Sequence, residues 1–116
     1  MYTKAKFIQG IFNFEGRGLE APIKLGPVAS YKVPADKRAQ IVYMRAGNSA
    51  DALIVVSLMR DQQLTRYFPV GARQSIHIPM VVTEDVFPDS QIELLVSAPK
   101  GAFGTVVIDL GLIEVD

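Results

Sequence analysis

The chain has 116 residues, which is enough for one domain with a single hydrophobic core. Apolar residues make up 49% and charged residues 21%, with zero formal net charge, so the composition is globular rather than disordered. The absence of cysteine excludes a disulfide framework, a thiolate metal site and a cysteine nucleophile. Because no basic run or arginine–aromatic stripe is present, we expect no direct contact with nucleic acid.

The N-terminal stretch MYTKAKFIQGIFNFEG lacks a continuous apolar segment and a small-residue cleavage site, so the sequence predicts no secretion signal. The longest apolar runs, such as Ala52–Val56, are far too short to span a bilayer, and we expect no membrane partner. The lack of cysteine suits a reducing compartment.

Strand patterns dominate in chain order. Period-two alternation and enrichment in β-branched and aromatic residues are typical of half-buried strands. The predicted strands are Lys6–Phe14, Ser30–Val33, Arg38–Arg45, Ala52–Arg60, Leu64–Val70, Gln74–Val82, Ile92–Ala98 and Gly104–Val115. The turn RDQQ at Arg60–Gln63 predicts a hairpin. No long helical pattern is present, and Thr83 is at most the cap of one short turn.

The first 25 residues are less regular than the rest, so we assign 1–25 to an N-terminal arm or edge segment and 26–116 to the sandwich domain. Phe7, Ile8, Ile11, Phe12 and Phe14 cluster there. They are either the first strand of the sandwich or an apolar segment that adds to a partner's sheet.

The last strand has the clearest alternation. Val106, Ile108, Leu110 and Leu112 share one face, which suits a core. On the opposite face, Val107 and Ile113 are predicted to meet another element or another chain.

Proline-containing corners separate several strands. In VPADKRAQIV (Val33–Val42), Pro34 ends a strand because it lacks an N–H donor, and Asp36 is predicted to adopt a left-handed conformation or an Asx turn. Pro69 and Gly71 form the second corner, and Pro88 the third. About eight short strands with such turns predict an all-β fold: a single antiparallel β-sandwich, jelly-roll-like, with an N-terminal arm or edge strand.

The corners resemble those of small β-sandwich proteins in the virions of tailed bacteriophages, which often read YTVPAGKTA at the first corner. The departures are Asp36 for the usual glycine and the stretch from Pro88 to Gln91 for the usual Ala-Gly-Asp. The resemblance covers roughly residues 30–116 and implies a capsid decoration or cement protein, a head fibre or a tail adaptor. The matching positions are Tyr31, Val33, Pro34, Ala35, Lys37, Ala39, Asn48, Pro69, Gly71, Ile92 and the strand Val106–Val115.

Catalytic and metal-binding patterns are weak. His77 is the only histidine and has no nucleophile motif around it, so a surface or interface role is expected. Glu84, Asp85 and Asp89 form an acidic cluster without a calcium-loop pattern, which favours a solvated or salt-bridging loop. We therefore expect no enzyme activity and no cofactor.

The expected function is that of a virion structural protein which docks on the major capsid protein, or another virion protein, and on copies of itself after assembly in the host cytoplasm. One alternative is a tail- or head-fibre module that contacts host carbohydrate, with Tyr67 and Phe68 beside Arg66 as candidate contacts. The other is a cytosolic dimeric β-sandwich of unspecialised binding role. The candidate interface residues are Phe7, Ile8, Ile11, Phe12, Phe14, Arg66, Tyr67, Phe68, Val107 and Ile113.

Overall fold

The computed structural model describes residues 3–82 and 84–116, and nearly all of its regular structure is β-strand. Thr83, predicted as a possible cap, lies outside the described residues. A 3-10 turn, Pro27–Ala29, joins the second strand to the third. The strands are β1 (Thr3–Glu15), β2 (Gly18–Lys24), β3 (Ser30–Lys32), β4 (Arg38–Asn48), β5 (Ile54–Arg60), β6 (Gln63–Val70), β7 (Ser75–Pro79), β8 (Asp85–Val86), β9 (Gln91–Ala98) and β10 (Phe103–Val115).

Two antiparallel sheets pack face to face. The first has the order β1-β10-β4-β7, with β8 also paired to β4. The second has the order β2-β9-β5-β6, with β3 also paired to β9. Neighbouring strands are mostly distant in sequence, which is the pattern of a jelly roll, so the predicted all-β sandwich is confirmed. Among the described residues, no helix has the length and apolar character needed to cross a membrane.

The core lies between the sheets and is built by alternate residues of each strand. The four apolar residues predicted to share one face of the last strand are all at most 1% exposed, which confirms that prediction. Met44, Ile54 and Leu94 from three other strands are fully buried beside them. Each such side chain contributes about 1.5–3 kcal/mol when it leaves water.

The N-terminal segment is an edge strand of the first sheet. β1 pairs with β10 without a register shift from Thr3↔Val115 to Glu15↔Phe103. The structure therefore has the edge strand rather than the arm that the sequence left as an alternative. The alternation explains why, because Ile8 is buried in the core while its neighbours point outward.

β2 was not predicted as a strand. Its sequence GLEAPIK contains Pro22 and shows no alternation of apolar residues. The strand lies at the edge of the second sheet, and its pairing with β9 shifts between Gly18 and Ile23. An edge position tolerates proline because one side of the strand needs no N–H donor.

The turns confirm the hairpin and correct the predicted corners. Asp61 and Gln62 both have positive φ, as a two-residue hairpin between β5 and β6 requires. Asp36 does not have the predicted left-handed φ. The N–H of Lys37 instead bonds to the carbonyl of Pro34 at 3.1 Å, in a turn that needs no positive φ.

The second and third corners use different residues for the left-handed position. Gly71 is not left-handed, and Arg73 has φ 55° within the hydrogen-bonded turn 71–74. In the third corner, Asp89 follows Pro88 with φ 67°, the pattern of a type II turn. Val33 joins the first corner to the third, since its N–H and carbonyl both bond to residues of the turn 87–90 at 2.9 Å.

Asn48 closes the opposite end of the sandwich. Its side chain is 5% exposed, and its amide Nδ2 donates to the carbonyls of Ala52, Val70 and Gly71 at 2.9–3.3 Å. Its Oδ1 accepts the N–H of Ala50 at 2.9 Å. One buried side chain thus provides hydrogen-bond partners for two separate backbone segments, 50–52 and 70–71.

Tyr31 and Glu114 link the two sheets through a polar contact. The Tyr31 hydroxyl on β3 donates a hydrogen bond to the Glu114 carboxylate on β10, which is 5% exposed. A buried carboxylate is costly unless it is hydrogen-bonded. The tyrosine of the VPA corner therefore compensates the burial of this acid.

We predict that Asn48→Ala lowers the free energy of unfolding by about 2–3 kcal/mol, because several buried backbone groups lose their partner. Urea denaturation followed by circular dichroism measures the change. Asn13→Ala is the matched control: that exposed amide accepts only the Thr105 hydroxyl, and its loss is expected to stay within about 0.5 kcal/mol. Equal effects of the two substitutions would contradict the assignment of Asn48 as a structural centre.

We also predict that Tyr31→Phe destabilises the fold by about 1–3 kcal/mol, because Glu114 stays buried without its donor. Tyr67→Phe, at a tyrosine that is 65% exposed, serves as the control and is expected to be neutral. A double variant with Glu114→Gln measures the coupling between the two groups. If the stability losses of Tyr31→Phe and Glu114→Gln simply add up in the double variant, the hydrogen bond between the two groups contributes nothing to stability.

Candidate interaction surfaces

The outer face of the first sheet exposes an apolar stripe, defined here as Phe7, Ile11 and Val107. Their exposed fractions are 56%, 73% and 47%. Ile11 on β1 and Val107 on β10 are direct partners in the ladder, and Phe7 lies four residues from Ile11 on the same face of β1, opposite Gly111. Direct cross-strand neighbours have Cβ atoms about 5 Å apart, so Ile11 and Val107 form one surface.

A polar cluster shares this face, and its Gln9–Asp109 pair lies between Phe7 and the Ile11–Val107 pair. Asp109 Oδ1 accepts the hydroxyl of Tyr43 at 2.9 Å and the amide of Gln9 at 3.2 Å. The Arg45 guanidinium lies 5.2 Å from the centre of the Tyr43 ring, and the ring of His77 meets it edge-on at 5.9 Å. These five residues, the outer-face polar cluster, come from four strands.

Gly111 makes the position of Tyr43 possible. A Cβ at Gly111 would lie 2.0 Å from an atom of the Tyr43 ring, so the ring occupies the space a side chain would need. Shallow depressions flank Val107 and Asp109, one towards His77 and the other towards Gln9. The depressions on this face are therefore shallow and open, unlike an enclosed binding pocket.

A second charged region lies where the loop before β8 crosses the end of the sandwich. Glu84 pairs with Arg66 at 3.4 Å and with Arg60 at 4.0 Å, and Asp85 pairs with Arg38 at 3.3 Å. These bridges are part-exposed and contribute little each. The cavity beneath them is about 30 Å³, room for a water or two. The acidic residues of this loop thus act as salt-bridge partners.

The predicted interface residues divide by burial. Ile8, Phe14 and Phe68 are core side chains, at 3%, 7% and 3% exposure, so they are unavailable to a partner. Phe12 packs against the core, and Arg66 and Ile113 are half-buried. The exposed members are Phe7, Ile11, Val107 and Tyr67, the last of which lies on β6 of the other sheet.

Sequence reasoning missed the outer-face polar cluster. Gln9, Tyr43 and Asp109 are far apart in the chain, and only the register of β1, β10 and β4 brings them together. The available signal was the alternation of β10, which places Asp109 on the same face as Val107. Across residues 3–82 and 84–116, no group of three or more histidine or acidic side chains is arranged to hold a metal ion.

Comparison with known proteins shows the fold. The sequence matches no known protein family and no curated protein. The structure is similar to the CBM36-1 domain, a carbohydrate-binding module, of a multidomain xylanase from the hindgut metagenome of Trinervitermes trinervoides, with TM-score 0.58 and 14% identity over 95% of this chain and 96% of that one.

Two further structures share the architecture. A chain in the structure of infectious bursal disease virus, Gt strain, has TM-score 0.52 and 12% identity, covering 97% of this chain and 32% of the viral one. PirA has TM-score 0.50 and 8% identity, over 95% of this chain and 94% of its own. Identities this low establish a shared jelly-roll-like sandwich and nothing finer.

Burial and then the hydrogen bond to Asp109 raise the pKa of Tyr43 above its ordinary value of 10.0. We predict that Asp109→Asn moves this ionisation to lower pH, because the neighbouring negative charge is removed. Absorbance titration of the phenolate measures it, with Tyr43→Phe identifying the shifted group. The folded state holds this proton more tightly than the unfolded chain, so stability should fall as pH rises above about 10. An Asp109→Asn titration identical to wild type would contradict the assignment.

Proposed function

We propose that this chain is a non-enzymatic structural subunit of a phage virion, a capsid decoration protein that docks on the major capsid protein. The observation that carries the proposal is the apolar stripe of Phe7, Ile11 and Val107 on the outer face of the first sheet. Ile11 and Val107 are adjacent, and Phe7 follows on the same face beyond the Gln9–Asp109 pair. Exposed apolar patches commonly mark protein-interaction sites. The stripe is held on a paired strand, so its geometry is set before any partner arrives.

The energetics favour docking by this surface. Burial of apolar area contributes about 25 cal/mol per Å² before ordering costs are subtracted. Ile11 and Val107 are β-branched and stand on a hydrogen-bonded ladder, so little side-chain and backbone freedom remains to be lost. A rigid, open face suits a partner surface that is itself broad and ordered, such as a capsid shell.

Two further observations support a virion role. The first corner carries Tyr31, Val33 and Pro34 in the pattern of small tailed-phage sandwich proteins, and Tyr31 has a structural role there through Glu114. The jelly-roll-like fold recurs in a chain of infectious bursal disease virus. Jelly rolls are common in viral shells, and they are also common in lectins.

Carbohydrate binding is the second candidate function. The outer-face polar cluster and the likeness to the CBM36-1 domain favour it. Sugar recognition by stacking needs an aromatic ring with a free face. The Tyr43 ring covers Gly111, carries Arg45 nearby and meets His77 edge-on, so it is already engaged by protein groups. Phe68 is buried, which leaves Tyr67, 65% exposed on the second sheet, as the predicted aromatic contact for a sugar. Docking on protein through the apolar stripe is the preferred proposal.

We predict that Val107→Lys weakens binding to shells of the encoding phage by about tenfold or more, because a buried valine contributes on the order of 1.5–3 kcal/mol. Co-sedimentation of the purified protein with shells lacking it measures the binding. Leu64→Lys is the matched control, since Leu64 is 43% exposed but lies on β6 of the second sheet.

The proposal fails if the wild-type protein does not bind the shells, or if both lysine variants bind as well as wild type. A glycan array provides the contrast with the second candidate. Glycan binding that is lost in Tyr43→Ala or in Tyr67→Ala would favour the carbohydrate module instead.

A further inference from the structure

The open edge of β1 differs from the other sheet edges. At 13 residues, β1 is longer than any other edge strand, and it contains no proline. The strands β2, β6 and β7 carry Pro22, Pro69 and Pro79, and β3 and β8 have three and two residues. Proline and short length are the usual means by which edge strands avoid pairing with other chains. β1 lacks both of these protections.

The backbone hydrogen bonds of β10 show which main-chain groups of β1 face β10 and which face the open edge. The carbonyl of Thr105 accepts the N–H of Ser49 on the β4 side of β10, and the carbonyl of Ala102 accepts the N–H of Gly16 on the β1 side. Main-chain groups alternate in direction along a strand, so even-numbered residues of β10 face β1. The ladder pairs even residues with even ones, as in Ile8↔Leu110. The main-chain groups of odd-numbered β1 residues therefore point to the open edge.

This outward side is available for pairing. No backbone hydrogen bond in the described part of the chain joins it to another segment. The 3-10 turn lies near β1, but the backbone hydrogen bonds of the turn run to Gly26 and Pro27 and none reaches the β1 edge. Phe7, Gln9 and Ile11 are all exposed.

We infer that β1 pairs with β1 of a second copy of this chain, antiparallel and centred on Gln9. In this register, each odd residue opposes an odd residue, so both present outward main-chain groups and exchange two hydrogen bonds. Phe7 of one copy opposes Ile11 of the other, twice, and aromatic with β-branched is a favourable cross-strand pair. On each side of the central Gln9 pair, Val107 and Ile11 of one copy then line up with Phe7 of the other, and these two apolar rows make up the joined stripe.

The charges of β1 select this orientation. Lys4 and Lys6 lie at its N-terminal end, and Glu15 at its C-terminal end. Antiparallel pairing places the basic end of one strand near the acidic end of the other, whereas parallel pairing would align like charges. Lys4 and Lys6 lie on the sheet face opposite to Glu15, so this is a long-range preference and not a salt bridge. The β1 strand of a second copy is therefore the partner that matches this open edge. The pairing deepens the proposed function and rests on it, because the joined stripe is the surface offered to the shell.

A proline substitution tests the edge directly. Gln9→Pro and Gln9→Ala both lose the hydrogen bond from the side-chain amide to Asp109. Only proline also removes the backbone N–H that points to the open edge. Wild type and Gln9→Ala are expected to be dimers in light scattering. Gln9→Pro is expected to raise the dimer dissociation constant by about tenfold or more. Circular dichroism confirms that each variant is folded.

A cysteine pair tests the register. Residue 9 opposes its own copy at a Cα separation of about 5.5 Å, within disulfide range, so oxidised Gln9→Cys should form a covalent dimer. Asn13→Cys is the matched control on the same strand face. Its two copies would lie eight residues apart along the paired strands, roughly 27 Å at about 3.4 Å per residue, and should not cross-link. The chain has no other cysteine to compete.

The inference is overturned by a wild-type protein that stays monomeric at its highest soluble concentration. Equal dimerisation of the proline and alanine variants, or equal cross-linking at positions 9 and 13, would also overturn it. These outcomes are separate from the proposed function. Val107→Lys should leave the dimer in free solution intact while it weakens shell binding, and a protein that pairs but binds no shell would refute only the virion role.

Discussion

The ladder between the first and last strands is the constraint on which the rest of this structure depends. β10 lies between β1 and β4, so both ends of the chain must be in place before the first sheet is complete. The unbroken register from Thr3↔Val115 to Glu15↔Phe103 sets which β1 side chains enter the core and which reach solvent. A slip of one residue would turn Ile8 outward and Phe7 inward. The apolar stripe, the polar cluster and the open edge all follow from this register.

Side-chain hydrogen bonds stabilise the two ends of the sandwich, where the strand pairing ends. Asn48 holds the turn between β6 and β7 at one end, and Tyr31 holds the buried carboxylate of Glu114 at the other. Val33 lies beside that second point and joins two corners through its backbone. Side chains that satisfy several backbone groups allow tight corners without unpaired buried polar atoms, and none is found among the described side chains. Tyr31, Val33 and Asn48 thus serve the fold.

The outer face combines two kinds of surface that suit different partners. Its apolar part favours protein docking because burial there releases water from branched, rigid side chains. Its polar part is largely satisfied within the chain, since Asp109 already accepts two hydrogen bonds. Self-pairing at β1 would double the apolar part while leaving the polar part on each copy unchanged. This difference between the apolar and polar parts is the physical reason for proposing assembly rather than ligand binding.

The sequence by itself determined the fold class, most strand positions, the hairpin at Asp61 and the buried face of β10, because alternation and turn residues act locally. It did not identify Arg73 and Asp89 as the left-handed corner residues, and Asp36 lacks the left-handed φ offered for it, since several turn types share the same composition. Only the tertiary structure decided that 3–15 is an edge strand, that Ile8 belongs to the core, and that Asp109 meets Gln9 and Tyr43. Those outcomes depend on long-range pairing and register, which local patterns do not encode.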